Sequence, residues 1–182
     1  MRFPDAGGTK VIYFDNAATT LQKPETVAKA VAEAISNLGN AGRGAYDAAL
    51  HSMRMAYETR EMINEFFNGD GPEQVAFMSN ATEALNTAIN GILQPGDHVI
   101  TTAMEHNSVL RPLYLKEQQG VALTILPVGE DGTISSEAFE EAIRPDTEAI
   151  VCTHASNVTG GLQASWAAFY CRCITVRRNS PN

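Results

Sequence analysis

Residues 98–126, HVITTAMEHNSVLRPLYLKEQQGVALTIL, decide the fold. His98 to Thr101 and Val121 to Leu126 are short apolar runs of strand length. Between them, Ser108 to Gln119 has the length of a helix, one that must tolerate Pro112. The alternation continues on both sides. Upstream, Val75 to Met78 reads as a strand and Thr82 to Gly91 as a helix. Downstream, Ser135 to Ile143 reads as a helix after the Gly129 to Gly132 turn, and Ala149 to Cys152 as a strand. Short buried strands alternating with helices predict an α/β fold, a mostly parallel sheet with helices on both faces. Ligands of such sheets bind beyond the carboxyl ends of the strands.

The chain before this region is organised differently. Val11 to Phe14 reads as a short strand that ends in the Asp15-Asn16 turn signal. Pro24 suits the first turn of a helix, Val27, Val31, Ile35 and Leu38 repeat along one stripe of it, and Gly39 is its stop. Gly39 to Gly44 is a flexible loop. A second helix is predicted over Ala45 to Asn68, with Ala49, Met53, Ala56, Ile63 and Phe67 on one face and Arg60 interrupting it, either as a stem whose head reaches water, the favoured reading, or as a buried charge with a partner.

Of the 182 residues, 44% are hydrophobic and 19% charged, an ordinary globular composition of about one domain's length. The net charge of −8 argues against nucleic acid or an anionic membrane as partner, because phosphate binding is driven by Lys and Arg. No apolar stretch approaches the ~20 residues of a membrane span. Cys152, Cys171 and Cys173 are an odd, sparse set that suits the reducing cytoplasm. Residues 161–182 stand apart: they hold no Asp or Glu, but carry Arg172, Arg177, Arg178 and the one tryptophan, Trp166. Cys171 and Cys173 supply two thiolates where a structural zinc site takes about four ligands. No metal site is predicted.

Three predicted strands end in polar loops. Ser79-Asn80-Ala81-Thr82-Glu83 follows the first, Met104-Glu105-His106-Asn107 the second and His154-Ala155-Ser156-Asn157 the third. Asn80 and Glu83 have the spacing of a capping box, Glu83 reaching back to the cap amide. The same helix start could seat an anion over Ala81 and Thr82, with the Thr82 hydroxyl as a further donor. His106 could be a general base, a metal ligand, a ring stacked on a planar ligand or a solvated loop residue, and Glu105 could orient it. Cys152 and His154 share a strand face, but no third group completes a nucleophilic site there. No Walker A, G-x-G-x-x-G, H-E-x-x-H or G-x-S-x-G pattern is present, so nucleotide hydrolysis, dinucleotide binding and hydrolase chemistry lose their best support.

Four segments together carry a resemblance: Tyr13 to Thr20 (YFDNAATT), Ser79 to Asn86 (SNATEALN), Met104 to Ser108 (MEHNS) and Thr153 to Gly160 (THASNVTG). In this order they resemble the class V aminotransferase-fold enzymes, in particular the cysteine desulfurase and selenocysteine lyase branch, over about residues 11–160. The resemblance implies a partial large domain of pyridoxal phosphate fold type I. It implies pyridoxal phosphate as cofactor, its phosphate held by Ala81 and Thr82, its ring stacked on His106 and its phenolic oxygen bonded by Asn157. Asn16, Ala17, Ala18 and Thr19 resemble a loop lining the substrate entrance. Gly42-Arg43-Gly44 departs from the His-Arg-Gly of many desulfurases.

Relatives of that branch continue past the Asn-Val-Thr-Gly motif with an Asp strand, a His-Lys motif whose lysine carries the cofactor, a small domain and a nucleophilic Cys. Lys10, Lys23, Lys29 and Lys116 lie in no such motif. The expectation is thus a truncated relative, not catalytic by itself. Its parts would be an N-terminal arm, first helix and glycine loop (1–44), the N-terminal part of the cofactor-binding large domain (45–160), and an unrelated tail, frame-shifted or disordered (161–182). The lineage implies a small amino-acid substrate cleaved at carbon–sulfur to give alanine and transferable sulfur, and a homodimer. Weak or absent cofactor binding and association through open sheet edges are expected of this chain. The other readings are a different class V reaction, or a noncatalytic interaction fragment.

Overall fold

The computed structural model describes residues 12–163 and, as backbone, Ile174–Val176. The chain forms two compact units, Met1–Val75 and Ala76–Asn182. In the first, Ile12 to Phe14 is not the expected strand: a strand exists through its ladder, and these residues pair with nothing in the sheet. Ile12 is 70% and Phe14 91% exposed. A turn at Asn16 to Ala18 follows, closed by the Ala18 and Thr19 amides on the Asp15 carbonyl (both 3.2 Å).

Helix α1, Glu25–Asn37, has Pro24 as its N-cap, one residue earlier in role than expected. Its stripe of Val27, Val31 and Ile35 forms on schedule but stays exposed, and the helix buries no residue. Helix α2, Asp47–Phe66, is shorter than predicted because Tyr46 takes extended backbone at its start and Phe67 leaves helical geometry. Of its predicted face only Ala49 is buried; Met53 and Phe67 are exposed, and Arg60 is half-buried. Ser52 ties the glycine loop to this helix: the Gly39 amide donates to its hydroxyl (3.0 Å), which donates in turn toward the carbonyls of Gly39 and Ala48. Gly44 is needed there, since a Cβ would collide with the Tyr46 ring and with Ala49.

The second unit holds the alternating elements. Val75 to Met78, which spans the unit boundary, was also expected as a strand and is not one. Phe77 and Met78 are substantially exposed, and these residues take no place in the sheet. The rest of the order is α3 (Ala81–Ile92), β1 (His98–Thr102), α4 (Asn107–Gln118), β2 (Ala122–Leu126), α5 (Ser136–Ala142), β3 (Thr147–Val151) and β4 (Ile174–Val176). The sheet order is β2-β1-β3-β4. β1 pairs parallel with β2 from His98↔Ala122 to Thr102↔Leu126, and parallel with β3 up to Ile100↔Ile150. β4 runs antiparallel along β3.

Alternation along β1 sends Val99 to one face and Ile100 to the other. Val99 packs with Ile89 and Leu93 at the end of α3 and with Val109 and Leu113 of α4. Ile100 packs with Leu126, Ile134 and Phe139 of α5. Helices therefore cover both faces, as the alternating sequence predicts. Pro112 is accommodated inside α4 with its ring buried. Of the segment expected as an unrelated tail, residues 161–163 close a loop described below and 174–176 form β4; residues 164–173 and 177–182 lie outside the described residues, so the tail's other expectations do too. No helix among the described residues is long and apolar enough to cross a membrane.

Candidate functional site

Strand direction places the loops after β1 and β3 at one edge of the sheet, since the two strands are adjacent and parallel. Helix α4 starts at that edge and runs back toward the opposite one. Helix α3 is aligned with it by Lys116, whose buried amine, in the last turn of α4, donates to the carbonyls of Asn90 (3.2 Å) and Leu93 (2.8 Å) at the end of α3. With their carboxyl ends joined and 12 residues each, the two packed helices present their N-termini, Ala81 and Asn107, at the same edge as the loops.

At the start of α3 the Asn80 side chain accepts the Glu83 amide (2.8 Å), as a capping residue should. Glu83 does not return to the cap amide, as the capping-box spacing predicts. It accepts instead from the amide (3.0 Å) and hydroxyl of Ser79, which hold its carboxyl below the usual range. With the third amide capped, those of Ala81 and Thr82 are the ones no carbonyl of the helix can reach. Both residues are exposed.

His106 caps α4 with its ring. The Ser108 amide donates to Nδ1 (3.1 Å), and the Ser108 hydroxyl lies 2.8 Å from the same atom. Nδ1 is thus an acceptor, so the neutral ring carries its proton on Nε2. The imidazole is exposed but fixed in orientation. Glu105 does not orient it, contrary to the sequence expectation. Its carboxylate turns inward, 9% exposed, where Oε1 accepts the Thr102 hydroxyl and the Thr153 amide, both at 2.7 Å. Burial pushes its pKa up, against the pull of these two bonds.

Asn157 sits in a loop built by its neighbours. The Ser156 amide donates to the Gly161 carbonyl, the Gly160 amide returns to the Ser156 carbonyl, and Ala155 bridges to Leu162. The Ser156 hydroxyl accepts the amides of Val158 and Thr159. Gly160 takes the positive φ of 72° that the reversal requires. Asn157 is left exposed at the edge.

Gln163, 1% exposed, is the residue that sequence reasoning missed. Its main-chain amide donates to the His154 carbonyl (3.0 Å), while its side chain accepts the Ile134 amide (3.1 Å), donates to the Gly132 carbonyl (3.0 Å) and reaches the Met104 sulfur (3.8 Å). It joins three loops at the edge. Nothing local marks it, because it follows a glycine pair in a stretch with no apolar period.

Cys152 and His98 do not join this group. Cys152 packs toward the Phe139 side of the core and its thiol contacts the Thr153 carbonyl (3.3 Å), while His154 is exposed. His98 is fully buried at the opposite end of β1. Asn16, Ala17, Ala18 and Thr19 lie in the first unit, where the Tyr13 hydroxyl lies within hydrogen-bond reach of the carbonyls of Asp15 and Thr19. No cluster of three His, Cys, Asp or Glu among the described residues is placed to hold a metal ion. The donor set at the edge suits an anionic planar ligand: free amides and a hydroxyl for an anion, a fixed flat ring and an exposed amide.

Comparison with known proteins identifies relatives of this chain. The model of the family Aminotransferase class-V matches residues 12–168, eight residues beyond the end of the sequence resemblance. A probable cysteine desulfurase of Mycolicibacterium paratuberculosis is 31% identical over 159 residues, 84% of this chain and 23% of its own length. Cysteine desulfurase IscS of Dechloromonas aromatica is 32% identical over 84% of this chain and 38% of its own length. Among solved structures, SspA in complex with cysteine superposes with a TM-score of 0.72 at 29% identity, over 83% of this chain and 44% of that one. The chain thus spans less than half the length of each of these proteins.

Proposed function

This chain belongs to the class-V aminotransferase family, and on that premise we propose that it forms part of the cofactor pocket of a pyridoxal phosphate-dependent cysteine desulfurase. The observation that carries the reading is the gathering of Ala81, Thr82, His106 and Asn157 at one edge of a parallel sheet within one unit. In this reading the Ala81 and Thr82 amides and the Thr82 hydroxyl bind the phosphate, with the helix dipole favouring the anion. The His106 ring stacks on the pyridine, held at its angle by the two contacts from Ser108. Asn157 donates its side-chain amide to the phenolic oxygen. When bound, the cofactor supplies an electron sink for negative charge at the substrate α-carbon.

The reaction proposed for the whole protein is cleavage of the carbon–sulfur bond of cysteine to alanine and transferable sulfur, in a cytoplasmic homodimer. Asn16, Ala17, Ala18 and Thr19 are proposed to line the way in. Titration of the chain with pyridoxal phosphate, followed by NMR shifts of assigned amides, tests the pocket. Perturbations should concentrate at Ala81, Thr82 and Asn157, and Thr82→Ala and His106→Ala should each weaken binding by about tenfold, the equivalent of one good interaction. Saturable binding that both variants leave unchanged would remove the reading.

A further inference from the structure

The β1–β3 register ends at Ile100↔Ile150, short of the edge where the candidate site lies. At its end and beyond it, side chains also join the two strands. The Thr101 hydroxyl donates to the Val151 carbonyl (2.9 Å). Further out, the Glu105 carboxylate accepts the Thr153 amide across a separation of 48 residues, at the same oxygen that takes the Thr102 hydroxyl. Thr102 in turn accepts the Met104 amide (3.3 Å). The result is one chain of donors and acceptors, from the Met104 amide through the Thr102 hydroxyl to Glu105 Oε1, met from the other side by the Thr153 amide.

A glutamate in a polar loop ordinarily turns to water, and burying a carboxylate is unfavourable unless strong hydrogen bonds offset it. Here two charge-assisted bonds do so. The residue that makes them lies directly before His106, and the amide it receives lies four residues before Asn157. A backbone rung at this level would draw the strands together. The side chain joins the two loops from within, at one carboxylate oxygen.

We infer that Glu105 is the positioning residue of the candidate pocket, its carboxylate acting as a rung that fixes the His106 loop against the Asn157 loop. The functional meaning of that rung rests on the reading given above; the rung itself is testable in the ligand-free chain. Two measurements decide. On the unsubstituted chain, a scalar coupling across the hydrogen bond from the Thr153 nitrogen to the Glu105 carboxylate carbon should be detectable, and its absence overturns the inference whatever happens to any variant. In Glu105→Gln, which keeps an acceptor oxygen of the same reach but loses the charge, the Thr153 amide, the Asn157 side-chain amide and the His106 ring should shift together while far-UV circular dichroism stays unchanged. A residue that merely supports stability would leave the last two signals in place, and that result also overturns the inference. Pyridoxal phosphate binding should weaken about tenfold in the same variant. If the unsubstituted chain binds no pyridoxal phosphate yet shows the coupling and the joint shift, the proposed function fails and the rung stands.

Discussion

His98 offers a test of the sheet through pH. The imidazole is fully buried at the start of β1, with Nδ1 2.7 Å from the Thr147 hydroxyl on β3 and Nε2 2.8 Å from the Thr124 hydroxyl on β2. Because Thr147 Oγ1 already accepts the Arg144 amide (2.8 Å), its own proton is best placed on Nδ1, and Nε2–H then donates to Thr124. A second ring proton would have to sit on Nδ1, displace the Thr147 hydroxyl proton and put a charge in a buried site. Burial lowers the His98 pKa first, Arg144 lowers it further, and Asp146 raises it in part. The folded pKa thus lies below the ordinary value of about 6.5, so the unfolded chain takes up the proton first as pH falls. Stability is fully present above that value and declines below it, down to the folded pKa. One proton taken up by the unfolded chain alone is worth about 1.4 kcal/mol per pH unit, so between pH 7.5 and 5.5 the loss should reach up to about 1.4 kcal/mol. Glu105, raised by burial, has the opposite sign and acts nearer the carboxylate range, which makes the difference between two proteins the clean quantity. Denaturant titrations of the chain and of His98→Gln at these pH values should show the decline in the first and not in the second. Equal slopes would refute the buried neutral tautomer.

Two further substitutions probe the helices that frame the edge. Lys116→Met should destabilise the chain by about 1–3 kcal/mol, because the Asn90 and Leu93 carbonyls lose their buried donor; urea denaturation measures it, with an unchanged m-value. Asn80→Ala should cost about 1 kcal/mol and raise hydrogen exchange in the first turn of α3, whereas Asn80→Asp, which retains the acceptor, should stay near the unsubstituted chain.

β1, β2 and β3 of the second unit were legible because each is a short apolar run bounded by turn residues and packed between helices. His98, Val121 and Ala149 each lie within two residues of the observed strand starts. Ile12 to Phe14 and Val75 to Met78 have the same local character and are not strands. Hydrophobic character speaks of burial, while a ladder needs a partner that no local run can specify. The stripe of α1 shows the same division: periodicity foretold the helix, not its exposure. At the site, Asn80 was readable as a cap because the interaction spans three residues. The turn of Glu105 toward Thr153, 48 positions away, and the bonds of Gln163 to Gly132 and Met104 depend on the closed sheet.

The two threonines that hold His98 also bear on the order in which the sheet assembles. Thr124 is 26 residues away along the chain and Thr147 is 49. Closing the longer loop from an open chain costs only about 0.6 kcal/mol more than closing the shorter one, so entropy alone barely ranks the two. The shorter loop, however, contains α4, whose formation draws β1 and β2 together before any distant segment is recruited. Residues 81–126, with Lys116 clasping α3, are expected to form the local nucleus, with β3 arriving on an edge where the imidazole is already held from one side. Substitutions at Thr124 should therefore slow folding, and substitutions at Thr147 should chiefly hasten unfolding.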